Sequence, residues 1–131
     1  MLTREQLESG LARFNGTDEY HAHWTKAFVM TDGVKWLADN AEAHWLIDAL
    51  ASYQPQCMKD PMLKDIQFWS LICNHEHPAE GTGRVSGTAL LACERDEGDV
   101  AITQHIEWTT FPLPVIKLWV EHGVIMLPSE R

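Results

Sequence analysis

Hydrophobic and polar positions divide the chain into a helical first half and a β-rich second half. Apolar residues from Leu7 to Phe14 recur at helical spacing, and Thr3 and Gln6 form a capping-box pattern in front of them. These residues predict a first helix that ends before Asn15-Gly16, because this pair is typical of a helix stop.

A second helix is predicted after Thr17, because aromatic residues from Tyr20 to Phe28 recur every four positions. His21 and His23 point away from this stripe in different directions, and both are expected to be exposed. A third and longest helix is predicted to begin at residue 31 or 32 and to end near residue 53.

The second half has the short periods of β-strands. Residues 67–73 are apolar at consecutive positions, as in a central strand, and residues 84–94 form the next strand, with Gly87 at a bulge. A turn is predicted at 77–83, and residues 100–108 alternate between apolar and polar side chains.

The segment 114–126 has two interpretations. His122-Gly123 separates two apolar runs and favours a β-hairpin. The alternative is a helix over 114–122 that starts near Pro114 and ends at Gly123.

Helices followed by strands, without alternation of the two, predict an α+β fold. We expect a single domain spanning residues 1–131, in which N-terminal helices pack on one face of a four- or five-stranded antiparallel sheet formed by the C-terminal half.

Three segments carry a resemblance to a known family. They are GTDEYHAHW, TDGVKWLADNAEAHWLIDALASYQ and FPLPVIKLWVEHGVIMLPSE, with the patterns GTxxYxxHW, TDGVKWLA and WLIDAxASYQ. The chain resembles a family of small uncharacterised bacterial proteins that also occur on phages and other mobile elements. The resemblance implies a stand-alone domain, and it implies no activity, cofactor or catalytic residue.

Charge and cysteine content restrict the partners and the location. The formal net charge of −9 disfavours direct nucleic-acid binding, although a DNA-mimicking inhibitor is one class of protein with such a charge. Acidic residues in the first ten positions disfavour a signal peptide, and no apolar run reaches the length of a membrane span, so we expect no membrane association. Three cysteines without a CxxC spacing favour the reducing cytoplasm.

One catalytic candidate is the pair His44 and Asp48, which lie four residues apart and therefore on one helix face. Asp48 follows the apolar stretch Trp45–Ile47, where a carboxylate needs a hydrogen-bond partner. A carboxylate beside an imidazole sets the tautomer and basicity of a general base. The alternative interpretation is a structural contact of Asp48.

A metal candidate follows from alternation in the strand that begins at residue 67. Cys73, His75 and His77 project from one face if the strand continues to residue 77, and thiolate and imidazole suit zinc. The glycine-containing segment 80–87 lacks the Lys-Ser/Thr of a phosphate-binding loop, so no cofactor is predicted.

Six tryptophans exceed what the core of so small a domain accommodates. Trp36, Trp108 and Trp119 are the candidates for an exposed binding patch. The sequence therefore favours a non-enzymatic module that binds a protein partner or forms a homodimer. The alternatives are a small enzyme that uses His44 and Asp48 or a metal held by His75 and His77, and, more remotely, an acidic DNA mimic.

Overall fold

The structure, a computed structural model, describes residues 2–77 and 85–131, without the side chain of His77. The predicted turn at 77–83 falls almost wholly on residues that lie outside this description. The helices are α1 (Arg4–Leu11), α2 (Asp32–Asn40), α3 (His44–Ser52) and α4 (Gln54–Cys57), with a 3-10 turn at Pro128–Glu130. The strands are β1 (Tyr20–Ala22), β2 (Val29–Thr31), β3 (Ile66–His77), β4 (Ser86–Asp96), β5 (Asp99–Thr109), β6 (Val115–Glu121) and β7 (Val124–Met126).

The predicted four- or five-stranded antiparallel sheet is wrong. Within residues 2–77 and 85–131 the sheet has seven strands in the order β1-β2-β7-β6-β3-β4-β5. The pairs are antiparallel except β2 with β7, which is parallel. The sheet is therefore mixed, and its first two strands come from the N-terminal half of the chain.

The predicted second helix is replaced by the hairpin of β1 and β2. Three-residue strands are too short to show a period of two in the sequence, whereas the aromatic residues from Tyr20 to Phe28 happen to recur every four positions. Lys26 adopts a positive φ of 63° in the connection, which turns the chain between the strands. The short length of both strands explains why the pattern favoured the wrong element.

The predicted third helix is two helices, α2 and α3. Thr31 caps α2 through a hydrogen bond from the amide of Val34, so the predicted start is correct. The helix ends after Asn40, and Glu42 takes a positive φ of 51° before α3 begins at His44. This break lets both helices pack against the sheet, with Leu37 of α2 and Leu50 of α3 fully buried.

Among the residues that the structure describes, one face of the sheet packs against the helices and the other does not. Alternate side chains of the inner strands, among them Trp69, Leu71, Leu91 and Leu118, are buried with those of α2 and α3. β3 lies between β6 and β4, which confirms the predicted central strand. We call the opposite surface of β6, β3 and β4 the open face, and its side chains alternate with those buried ones.

The hairpin interpretation of the C-terminal segment is confirmed. β6 and β7 pair antiparallel with Glu121 opposite Val124. His122 and Gly123 both have positive φ, at 50° and 78°, as a two-residue hairpin turn requires.

A buried carboxylate joins the end of the chain to α2. Glu130 is 8% exposed and accepts hydrogen bonds from the hydroxyl of Thr31 (2.6 Å) and from the amides of Gly33 (3.0 Å) and Leu127 (3.1 Å). A carboxylate at a helix N-terminus satisfies free amides and interacts favourably with the helix dipole. In the part of the chain that the structure describes, no helix has both the length and the apolar character for a membrane crossing.

Candidate functional site

Two of the sequence patterns meet at His23 and Asp48. His23 follows β1, and its Nε2 lies 2.8 Å from Oδ1 of Asp48 on α3. The indole nitrogen of Trp24 donates to the same oxygen at 2.8 Å. His23 is only 4% exposed, because it packs edge-on against Phe28 and also contacts Trp24. The predicted exposure of His23 is therefore wrong.

The contacts of the other ring nitrogen assign the tautomer of His23. The backbone amide of Thr25 donates to Nδ1 at 3.2 Å, and an amide only donates. Nδ1 is thus the acceptor and Nε2 carries the proton that it donates to Asp48. The Thr25 hydroxyl lies 2.7 Å from Nδ1 and itself accepts the amide of Ala27 at 3.2 Å.

Asp48 is ionised in this arrangement. Although partial burial raises the pKa of the carboxyl group, the hydrogen bonds from Trp24 and His23 outweigh it and hold the pKa below its ordinary value. Asp48, His23 and Thr25 follow the order carboxylate, imidazole and hydroxyl of an acid–base relay. Both ring nitrogens of His23 are already bound within the protein, so the cluster fastens the β1–β2 connection to α3.

The structure gives the predicted pair His44 and Asp48 separate partners. Nε2 of His44 lies 3.0 Å from Oδ1 of Asp39, and the His44 side chain is 63% exposed. Asp39 also accepts the ammonium group of Lys35 at 2.5 Å. This hydrogen bond from Lys35 lowers the pKa of Asp39 more than His44 does. His44 turns back toward α2 because it is the first residue of α3, directly after the helix break.

The predicted metal ligands on β3 are described only in part. Nε2 of His75 is 2.9 Å from the carbonyl oxygen of Phe111, to which it donates. Burial raises the pKa of the Cys73 thiol to about 11, which disfavours the thiolate that zinc binds. The side chain of His77, the third predicted ligand, lies outside the described residues.

The three tryptophans of the predicted patch do not share one surface. Trp36 on α2 packs against Phe14, with the ring centroids 5.9 Å apart, on the helical side of the sheet. Trp119 on β6 meets Phe68 edge-to-face at 5.2 Å on the open face. Trp108 lies on the edge strand β5 and is 61% exposed.

The open face carries a row of exposed apolar side chains that the sequence analysis did not predict. Val115, Ile72 and Leu90 lie directly opposite one another on β6, β3 and β4. They are 45%, 51% and 41% exposed. The half-buried pair Phe68 and Trp119 lies four residues further along the strands, beyond Ser70 and Lys117, and the surface includes a groove of about 430 Å³. Apolar residues at consecutive positions of 67–73 were the available sign, because the helices of residues 2–77 and 85–131 cover one face of β3 and leave the other.

Comparison with known proteins identifies a family whose function is unknown. Residues 5–131 match the model of a family of unknown function, DUF6876. The chain belongs to this family. No curated protein and no solved structure matches it.

Proposed function

We propose that this chain is a self-associating binding module whose contact surface is the open face of the sheet. The observation that carries the proposal is the exposed row of Val115, Ile72 and Leu90 across three inner strands. Branched apolar side chains aligned on an inner part of a sheet are normally covered by a second layer. A second copy of the chain supplies such a layer.

The row is complementary to itself. The two-fold axis of this dimer runs parallel to β3, midway between the two sheets, and places β6 of one copy over β4 of the other. Val115 of one copy then faces Leu90 of the other, and Ile72 faces Ile72. Contacts of this kind are isologous, which is the commonest arrangement in homodimers. The two sheets then pack face to face at about 10 Å, as in a β-sandwich.

Charges on the open face support the same arrangement. Lys117 on β6 is paired with Ser70 of β3, and Glu94 on β4 is paired with the nearby Phe68 of β3. The two-fold axis places β6 of one copy over β4 of the other, so that Lys117 of one copy lies diagonally across from Glu94 of the other, two residues apart along the strands. Two such pairs reduce the repulsion between copies that each carry a net charge of −9. A basic residue within the face also favours a second copy over the mimicry of DNA, which needs a continuous acidic surface.

The size of the surface sets the expected strength. The three strands of the open face, spaced by about 4.8 Å and about 20 Å long, give a flat footprint of about 300 Å². A stable interface buries about 800 Å² of accessible surface on each partner. We therefore expect a dimer that dissociates in the micromolar range.

Sedimentation velocity over a range of concentrations tests the proposal. The wild-type chain is expected to shift from monomer to dimer with concentration, whereas Ile72→Lys remains a monomer because the substitution buries two facing ammonium groups. Met58→Lys is the matched control, since Met58 is similarly exposed (47%, against 51% for Ile72) but lies beyond α4 on another surface. This control is expected to dimerise like the wild type.

A charge exchange distinguishes this arrangement from other dimers. Lys117→Glu is expected to weaken the dimer, and the double variant Lys117→Glu with Glu94→Lys is expected to restore it. A wild-type chain that stays monomeric at the highest attainable concentration, or an Ile72→Lys variant that dimerises normally, contradicts the proposal.

The cytoplasm is the proposed location, and a bacterial or phage origin is the proposed source. The free state of Cys57, Cys73 and Cys93 supports a reducing compartment. The patterns GTxxYxxHW, TDGVKWLA and WLIDAxASYQ are proposed as features of the family to which the chain belongs.

A further inference from the structure

An imidazole and two carboxylates meet beside the N-terminus of α2, apart from the open face. Glu19 precedes β1, His21 lies on β1, and Asp32 is the first residue of α2. One ligand atom from each residue lies within 4.8 Å of the other two. The three side chains come from different elements, so the β1–β2 hairpin has to be folded for them to meet.

Backbone hydrogen bonds hold one carboxylate oxygen of Asp32, and its other oxygen faces His21. Its Oδ2 accepts the backbone amides of Asp18 at 3.0 Å and Glu19 at 3.4 Å. Its Oδ1 lies 2.8 Å from Nε2 of His21. In metal sites, hydrogen bonds to the oxygen that does not bind the metal hold a ligating carboxylate in its orientation.

We propose that Glu19, His21 and Asp32 bind one divalent transition-metal ion of the zinc type. Imidazole with two carboxylates suits zinc, cobalt or nickel, whereas magnesium and calcium prefer oxygen ligands alone. Three protein ligands leave a coordination position for water. The site goes beyond the proposed self-association and involves none of its residues.

The distance between His21 and Asp32 fits this class of metal after a small movement. Bonds of about 2.0–2.2 Å in a tetrahedral arrangement separate two ligand atoms by about 3.3 Å. Nε2 of His21 and Oδ1 of Asp32 are 2.8 Å apart, so they have to separate by only about half an ångström. Zinc takes the place of the proton between them: Nε2 binds the metal and the one ring proton of the bound imidazole lies on Nδ1. A neutral ring reaches this state by moving its proton from Nε2 to Nδ1, and an imidazolium reaches it by releasing its Nε2 proton to solvent.

The charge of the site also favours a cation. The N-terminus of α2 contributes the equivalent of about half a positive charge. The carboxylates of Glu19 and Asp32 contribute two negative charges and therefore outweigh it. His21 and Asp32 are both about a quarter exposed, so an ion has access from solvent.

Titration calorimetry of the full chain with zinc chloride tests the proposal. The wild type is expected to bind one zinc ion per chain, and Glu19→Gln is expected to weaken binding by about tenfold or more. Glu19→Gln is a mild change because the side chain is exposed. His21→Ala is expected to abolish the site, and circular dichroism verifies that this variant remains folded.

His44→Ala is the matched control. His44 also lies beside a carboxylate, with 3.0 Å between its Nε2 and Oδ1 of Asp39, but it is not part of the three-ligand group. This variant is expected to bind zinc like the wild type. Cobalt binding gives a second readout, since three protein ligands produce visible absorption bands that Glu19→Gln alters.

Equal zinc affinity in the wild type and in Glu19→Gln overturns the proposal, as does absence of zinc binding by the wild type. A loss of binding in His44→Ala that equals the loss in His21→Ala also overturns it, because binding would then be general to surface histidines.

Discussion

At the scale of single residues, Asp48 owes its role to a residue that lies far away in the sequence. The apolar residues before Asp48 predicted that its carboxylate needs a hydrogen-bond partner, and the spacing pointed to His44, but the partners are His23 and Trp24. These residues precede Asp48 by 25 and 24 positions. The apolar residues that precede Asp48 were evident in the sequence. Its side chain is nevertheless 46% exposed, and the identity of its donors depends on where the β1–β2 connection packs.

We predict that Asp48→Asn lowers the free energy of unfolding by about 1 kcal/mol near neutral pH, because two donors lose a charged acceptor. The folded-state pKa of Asp48 lies below its ordinary value of 3.8. The contribution is therefore fully present above the pKa of the unfolded chain and is lost as the pH falls through the folded-state pKa. Urea denaturation at successively lower pH should show the difference between variant and wild type vanish.

Asp39→Asn is the control for this prediction. Asp39 binds Lys35 and His44 at an exposed position, so the effect of its substitution is expected to stay within a few tenths of a kcal/mol. Equal effects of the two substitutions at every pH would contradict the role assigned to His23 and Trp24.

At the scale of elements, the ends of strands and helices depend on backbone positions that only glycine or a tight turn allows. Gly87 lies near the start of β4, beside irregular pairing of β4 with both β3 and β5. The bulge predicted at this position is confirmed. A Cβ atom at Gly87 would lie 1.8 Å from the carbonyl oxygen of Asn74, which is backbone of the neighbouring strand. The backbones of β3 and β4 approach each other too closely for a side chain here.

We predict that Gly87→Ala lowers the free energy of unfolding by about 2–3 kcal/mol, because a backbone oxygen has to move to admit the methyl group. Thermal or urea denaturation measures the change. Gly16→Ala is the control, since a Cβ atom at Gly16 has no neighbour within 4 Å, and its effect should stay within about 0.5 kcal/mol. A tolerated Gly87→Ala would show that β3 and β4 separate readily near this bulge.

At the scale of the whole molecule, one layer of helices covers one face of a mixed sheet and encloses the thiols. Burial raises the pKa of Cys57 to about 11 and that of Cys93 to about 12. Cys73 is half-buried, and burial also raises the pKa of its thiol, to about 11. The thiols therefore stay protonated near neutral pH, which disfavours a nucleophilic or redox role for them.

We predict that the native protein reacts slowly with a thiol reagent such as Ellman's reagent. A rise in the pKa of Cys73 from 9.0 to about 11 lowers its thiolate fraction by about 100-fold. Cys57 and Cys93 should react only after global unfolding, since both are fully buried. The chain in urea serves as the reference, and rapid modification of all three thiols without urea would contradict the packing of α3 and α4 on β3 and β4.

The sequence by itself determined the elements whose evidence lies within a few neighbouring residues. The capping box at Thr3 and Gln6 fixed the start of α1, and His122-Gly123 fixed the turn between β6 and β7. The apolar run at 67–73 identified β3 as a central strand. In these cases a hydrogen bond or a turn conformation within the segment itself selects the structure.

Tertiary structure decided the features whose contacts join distant parts of the chain. β1 and β2 become strands because β2 pairs with β7 almost a hundred residues later and because His23 binds Asp48. The open face and the group of Glu19, His21 and Asp32 exist only after these contacts form. A local pattern could not select them, because short segments with aromatic residues every four positions suit a helix and a hairpin equally until long-range pairing chooses between the two.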